Sequence, residues 1–168
     1  GTVMGHEFVG EIVETGSAVR GLAGGDRVLS PFTTNCGACD FCRLGLTSRC
    51  TSGQLFGWVQ DGQGLAGGQA EYVRVPLAAS TLLAVPDGVS TDAALLLGDV
   101  FSTGWFSAEQ AGLLPGDGCA VVGCGPVGLC AVLAAIDMKA ERVFALDRVP
   151  ERLALAQRLG AETIDIEK

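Results

Sequence analysis

The run Cys119-Ala120-Val121-Val122-Gly123-Cys124-Gly125-Pro126-Val127-Gly128 decides the fold of the second half of this chain. Cys119 to Gly123 is apolar and reads as a buried strand. Pro126 stands where a helix tolerates a missing N–H, and the helix it opens continues to Ile136. Between them lies the spacing G-x-G-x-x-G. Its glycines allow a tight turn and a close approach of an anion to the helix N-terminus, where unpaired amides and the helix dipole favour a pyrophosphate. The pattern alone is weak, and a plain structural turn is the competing reading. The flanking strand and helix strengthen it, as does Asp147 at the end of the next strand, Arg142 to Asp147. A carboxylate there accepts hydrogen bonds from a ribose 2′-hydroxyl and repels a 2′-phosphate, which favours NAD over NADP. Arg148 beside it tempers that preference.

Outward from this run, the helical period continues. Pro150 opens a further helix with Leu153, Ala156 and Leu159 on one stripe and Gly160 as its stop, and Ile164 begins a third strand. Upstream, Ser90 or Thr91 caps a helix through Ala93 to Leu97, a second helical stretch runs from about Thr103 to Ala111, and Pro115-Gly116-Asp117 is a turn. Strands alternating with helices predict a parallel, doubly wound sheet. Before about Val89 the chain reads instead as β-rich. Strands are predicted at Phe8 to Glu14, at Arg27 to Ser30 after the Gly24-Gly25-Asp26 turn, at Tyr72 to Val75 and at Leu82 to Val85, with Gly53 to Gly68 as a glycine-rich loop.

Cys36, Cys39, Cys42 and Cys50 form C-x2-C-x2-C-x7-C. Four thiolates this close suit a tetrahedral zinc ion, with Gly37 and Gly45 easing the turns, and four protein ligands leave no open position, so the role is structural. An iron–sulfur cluster, disulfides and free thiols are the alternatives. The bacterial ferredoxin run differs, because its last gap is shorter and a proline follows it.

Composition narrows the class. The 168 residues are 48% hydrophobic and 18% charged with a net charge of -8, and no basic cluster marks a face for nucleic acid or anionic membrane. The apolar stretch Cys119 to Ile136 is broken by glycines and Pro126, which excludes a membrane-spanning helix. Seven cysteines, an odd number, fit a reduced, cytoplasmic protein with one metal site better than a secreted disulfide scaffold. His6 is the sole histidine. Taken singly, His6 reads more readily as structural than as a ligand, and Asp99 as a capping or turn residue.

Together these motifs resemble the zinc-containing alcohol dehydrogenases of the medium-chain dehydrogenase family, in the family's order and over nearly the whole chain. Gly5-His6-Glu7 resembles the catalytic-zinc motif, and the four-cysteine loop the structural-zinc lobe. Gly67-Gly68-Gln69-Ala70-Glu71-Tyr72 is similar to the stretch before a barrel strand. Leu97-Gly98-Asp99 with Ser102-Thr103-Gly104 resembles the segment that supplies the last zinc ligand and a nicotinamide contact. The resemblance implies a mixed α and β chain: part of a GroES-like β-barrel catalytic domain over 1–89, with its zinc lobe at 36–50, then the first half of a Rossmann doubly wound sheet over 90–168. It implies a catalytic zinc held by His6, by Asp99 where many relatives carry Cys, and by a Cys upstream, with Glu7 as a neighbouring or exchangeable ligand. Asp99 suggests the branch resembling formaldehyde and polyol dehydrogenases. Thr103 would line the nicotinamide site, and Gly123, Gly125, Pro126, Val127, Gly128, Asp147 and Arg148 would bind NAD. Zinc would lower the alcohol's pKa while hydride passes to nicotinamide. A small alcohol or aldehyde substrate and a homo-oligomer follow from the same resemblance. The family has further residues on both sides of these motifs, so the chain is expected to be a piece of such an enzyme. The alternatives are a non-catalytic zinc-stabilised remnant and a zinc-independent quinone reductase-like relative.

Overall fold

The computed structural model describes residues 1–168, which divide into two compact units, Gly1–Asp99 and Val100–Lys168. The first unit holds β1 (Phe8–Glu11), β2 (Arg27–Ser30), the short helix α1 (Asp40–Arg43), a 3-10 turn (Thr47–Arg49), β3 (Trp58–Gln60), β4 (Gln63–Leu65), α2 (Ala78–Thr81), β5 (Leu83–Ala84) and α3 (Thr91–Leu97). β2 is the centre of an antiparallel sheet of order β1-β2-β5, with Val9 opposite Leu29 and Leu29 opposite Leu83. That central position buries Val28 and Leu29. α3 starts as its sequence predicts, with the Ser90 hydroxyl accepting from Ala93 N at 3.2 Å, and it packs against β1 and β2.

Three expectations for this unit are corrected. β1 ends at Glu11, and pairing reaches only one residue further, where Ile12 N donates to Asp26 O at 2.9 Å and Ile12 O accepts from Gly25 N at 2.8 Å in the turn that opens β2. Tyr72 to Val75 forms no strand: its alternating pattern finds no ladder partner, and Tyr72 is exposed. The stretch from Gly53 to Gly68 is not a plain loop, since β3 and β4 form a hairpin inside it, with Trp58 opposite Leu65. Its turn is Asp61-Gly62, both at positive φ (51° and 74°), the backbone a tight two-residue hairpin requires.

The second unit holds α4 (Val100–Gln110), β6 (Gly118–Val122), α5 (Pro126–Asp137), β7 (Arg142–Asp147), α6 (Pro150–Arg158) and β8 (Glu162–Asp165). The three strands form a parallel sheet of order β6-β7-β8. Its core gathers Cys124, Val132, Ala135, Val143, Ala145, Leu153, Ala156 and Ala161. α4 lies close on α5 because Gly104 has no side chain: a Cβ there would stand 2.7 Å from Ala131 N. α4 begins at Val100, earlier than the propensity pattern indicates, and β8 begins at Glu162 rather than Ile164. β6 does not reach the burial expected of it: among residues 1–168 it pairs only with β7, with Cys119 and Val121 turned to the core and Val122 78% exposed. No helix is long and apolar enough to cross a membrane.

Candidate functional site

The four cysteines, spread over the segment from 36 to 50, bring their sulfurs within 4.8 Å of one another. α1 and the 3-10 turn wrap the chain around that point. Gly37 (φ 67°) and Gly45 (φ 79°) make the reversals that other residues resist, and Gly53 admits the Thr34 and Cys50 carbonyls at close range. Backbone amides point at the sulfurs: Cys36 N to Cys50 Sγ at 3.2 Å, Cys39 N to Cys36 Sγ at 3.3 Å, and Ser52 N to Cys50 Sγ at 3.4 Å. Such donors stabilise thiolates over thiols. The Ala38 and Cys39 amides, Ala38 first, lower the Cys36 pKa, and the Cys42 and Thr51 amides draw Cys39 down to about 6. Cys42 goes the other way, up to about 11, through desolvation first and then its neighbouring thiols Cys39 and Cys50. Thiolates this close repel one another, and Cys42 is the one pushed towards the protonated form. A tetrahedral zinc with sulfur ligands at about 2.3 Å would set neighbouring sulfurs about 3.8 Å apart. The Cys39 and Cys50 sulfurs stand at 4.0 Å, and the set fits the ion.

The lobe is moored by polar side chains that the sequence reading passed over. Thr34, Asn35 and Thr81 are buried. Asn35 N donates to Thr81 Oγ1 (3.0 Å), and Gln54 N donates to Thr34 Oγ1 (3.1 Å). These bonds tie both ends of the cysteine loop to α2 and to the approach to the hairpin. Nothing in their local sequence marks them, since their partners lie up to 46 positions away.

His6 and Asp99, 93 positions apart, meet with His6 Nε2 3.1 Å from Asp99 Oδ2. Backbone packing sets both. Gly67 N, Gly68 N and Gln69 N donate to the Val3, Gly5 and Met4 carbonyls at 2.7, 2.9 and 3.0 Å. A Cβ on Gly67 would stand 2.2 Å from Gly5 O, so only glycine lets this strip dock beside His6. Gly98 does the same for Asp99, because a Cβ there would stand 2.7 Å from Ser30 O. Phe32 meets the imidazole edge-on at 6.4 Å. Two nitrogen and oxygen ligands of one tetrahedral zinc, at about 2.1 Å each, stand roughly 3.4 Å apart. At 3.1 Å the pair is hydrogen-bonded, and an opening of a few tenths of an ångström would let both serve one ion. Glu7 is half-buried beside His6.

In the second unit the glycine turn has the conformation its spacing demands. Gly123 has φ 93°, and a Cβ on Gly128 would stand 1.8 Å from Gly123 O. Gly125 faces open space, and Gly123, Pro126 and Val127 are exposed at the head of α5. Asp147 is 6% exposed. Its carboxylate accepts from Cys124 N (2.7 Å), Arg148 N (2.7 Å) and Val149 N (2.9 Å), and Arg152 lies 3.8 Å away. The Cys124 and Val149 amides, in that order, hold its pKa below the usual carboxylate range. Arg148 is exposed. Thr103 is exposed on α4, with its carbonyl accepting from Ser107 Oγ at 2.8 Å.

Residues 1–87 match the family model described as the alcohol dehydrogenase GroES-like domain. The chain belongs to the zinc-type alcohol dehydrogenases of the medium-chain dehydrogenase family, with a mixed α and β fold that joins part of a GroES-like domain to part of a Rossmann sheet. It is 51% identical, over its whole length, to a medium-chain reductase/dehydrogenase of Acremonium sp., of which it covers 58%. It is 46% identical to a zinc-type alcohol dehydrogenase B of Aspergillus flavus, over 96% of this chain and 38% of that one. Among solved structures, alcohol dehydrogenase TADH from Thermus sp. ATN1 superposes with a TM-score of 0.92 at 41% identity, covering 99% of this chain and 48% of the other. The chain thus spans about half the length of such relatives.

Proposed function

We propose that the protein is an oxidoreductase that transfers a hydride between a small alcohol, or an aldehyde hydrate, and NAD at a zinc site. The observation that carries this reading is the meeting of His6 Nε2 with Asp99 Oδ2 at 3.1 Å. In this reading His6 and Asp99 are ligands of a catalytic zinc and Glu7 is an adjoining or exchangeable one. Cys36, Cys39, Cys42 and Cys50 hold a second, structural zinc. The quartet's convergence counts against the zinc-independent quinone reductase-like alternative. When bound, zinc supplies Lewis acidity to the alcohol oxygen, and NAD supplies the hydride acceptor.

The chain's own groups have definable tasks. His6 offers an imidazole nitrogen and Asp99 a hard carboxyl oxygen, a donor pair suited to a borderline-soft ion. Gly123, Gly125, Pro126, Val127 and Gly128 present backbone to the cofactor's pyrophosphate, with Gly125 leaving the room for it. Thr103, exposed on α4, would line the nicotinamide. The ionised Asp147, with Arg148 beside it, accepts from the adenosine ribose and disfavours a 2′-phosphate. A homo-oligomer working in the cytoplasm completes the reading.

The test is NAD reduction by short alcohols and by formaldehyde, with protein expressed from its complete reading frame, with and without added zinc. Zinc-dependent turnover that falls by at least about a thousandfold in His6→Ala is expected, since that change removes a charge-stabilising centre from the transition state. Turnover that survives both zinc removal and His6→Ala would reject the zinc mechanism.

A further inference from the structure

Asp147 does more at the glycine turn than a ribose acceptor needs to do. Each of its two oxygens serves a different loop. Oδ2 takes the Cys124 amide at 2.7 Å, and so holds the first bend of the G-x-G turn. Oδ1 takes the Arg148 and Val149 amides at 2.7 and 2.9 Å, and so holds the turn that leads into α6. The carboxyl is 6% exposed, so water cannot replace these bonds cheaply. Cys124 is itself fully buried, with Sγ 3.7 Å from Leu146 O, while Gly123 N donates to the same carbonyl at 2.8 Å. The peptide segment that would face a pyrophosphate is therefore stitched to the end of β7 at three points. One of them, the charged one, belongs to Asp147.

We infer that Asp147 is a positioning residue whose carboxylate clamps the glycine turn to the β7–α6 turn, so that it sets affinity for the pyrophosphate part of the cofactor as well as for the ribose. This rests on the nucleotide reading of the glycine turn given above. Its consequence differs from that of a ribose contact alone. A ribose acceptor that is removed costs NAD affinity and relieves NADP. A clamp that is removed costs both, and also costs a ligand with no ribose at all.

The experiment compares Asp147→Ala with Asp147→Asn in the full chain. Both remove the negative charge, so electrostatic repulsion of an anion changes equally. Asparagine keeps one acceptor oxygen, which can serve the Cys124 amide or the Arg148 and Val149 amides but not both, because its NH2 only donates. Amide hydrogen exchange resolved at Cys124 is the direct readout. The alanine variant is expected to lose protection at Cys124 by at least about tenfold, the equivalent of one lost charge-assisted hydrogen bond. Val121 and Ala145 in the β6–β7 ladder should hold, and the asparagine variant should regain protection on one side of the clamp only, at Cys124 or at Arg148 and Val149. Inorganic pyrophosphate is the second probe, and is expected to bind the alanine variant several-fold more weakly than the unaltered chain, although loss of a negative charge by itself would strengthen anion binding. Unchanged exchange at Cys124 in the alanine variant would overturn the clamp whatever the binding results. Pyrophosphate affinity unchanged or raised in the alanine variant, with NADP binding improved, would overturn its role in cofactor affinity and leave a ribose contact only. If the unaltered chain binds neither pyrophosphate nor NAD while Cys124 exchange still rises in the alanine variant, the nucleotide reading fails and the clamp stands.

Discussion

The cysteine lobe and the glycine turn are both loops shaped for something outside the protein, and they are organised in opposite ways. In the lobe, side chains converge and backbone follows: four sulfurs stand within 4.8 Å, supported by one turn of helix and a 3-10 turn, with none of the α1 residues buried. In the turn, backbone is the working surface, and the shape comes from glycine and from one carboxylate, above a core of fully buried Val132, Ala145 and Ala156. In the zinc reading proposed above, the lobe gathers thiol groups that only a cation lets ionise together, so its stability would depend on that ion. The turn gathers amides that it has already tied down, so its shape depends on packing. A loop that concentrates like charges needs its ligand in order to fold, whereas one that concentrates dipoles on a packed scaffold does not.

The largest effect should come from removing the ion. Structural zinc contributes on the order of 10 kcal/mol to small metal-held folds, far more than the lobe's own buried surface can supply. Chelation, or Cys42→Ser, is expected to abolish zinc binding at the quartet and open residues 36–53 to protease. The amides of Gly123 and Cys124 should keep their protection. Loss of protection at both places together would break the contrast. Protonation sharpens the same point. Cys39 lies near 6 and Cys42 near 11, so between those values one of these two thiols must lose its proton when zinc binds. Apparent zinc affinity should rise at least about tenfold per pH unit across that window, with proton release measurable by calorimetry in buffers of different ionisation heat. In the metal-free chain the signs are opposite for the two groups. The lowered Cys39 adds stability that is present above its unfolded value of 9.0 and lost as pH falls through about 6. The raised Cys42 adds stability that is present below 9.0 and lost as pH rises through about 11.

A smaller effect is expected from Gly128→Ala. Its Cβ would stand 1.8 Å from Gly123 O, a backbone atom that cannot step aside. A cost of about 1–3 kcal/mol in urea melts is expected, with NAD affinity lowered and zinc content unchanged. Zinc loss in this variant would mean that the two loops are not independent. The smallest effect belongs to Gly62→Ala. Open space surrounds that position, so only its φ of 74° resists a side chain, at about 1 kcal/mol, and neither zinc nor cofactor binding should change.

The parts legible in the sequence were those whose causes are local. Cysteine spacing, the Ser90 cap, Pro126 and Pro150 at helix starts and Gly160 at a helix stop each act within a few residues, and each stands where it was read. The hairpin β3–β4 was also signalled locally, by Asp61-Gly62 between Trp58 and Leu65, but the surrounding glycines hid it. Tyr72 to Val75 failed for the opposite reason. Its alternation is real, but a strand exists only with a ladder partner, and residues 72–75 pair with no strand among residues 1–168. His6 and Asp99 were read as individually ambiguous, and only their resemblance to family motifs joined them.

The sequence by itself determined the chemistry available: four thiols in one short loop, one histidine, a glycine turn after an apolar strand, and an acid at the end of the next strand. Each of these is set by residue type and by spacing along the chain. Only the tertiary structure decided which groups meet. It set His6 against Asp99 across 93 positions, bound Asn35 to Thr81, made Gly67 and Gly98 sites of close backbone approach, and turned Asp147 into a three-amide clamp. The reason is physical: propensity and spacing act through neighbours in the chain, whereas contact, burial and charge pairing act through neighbours in space.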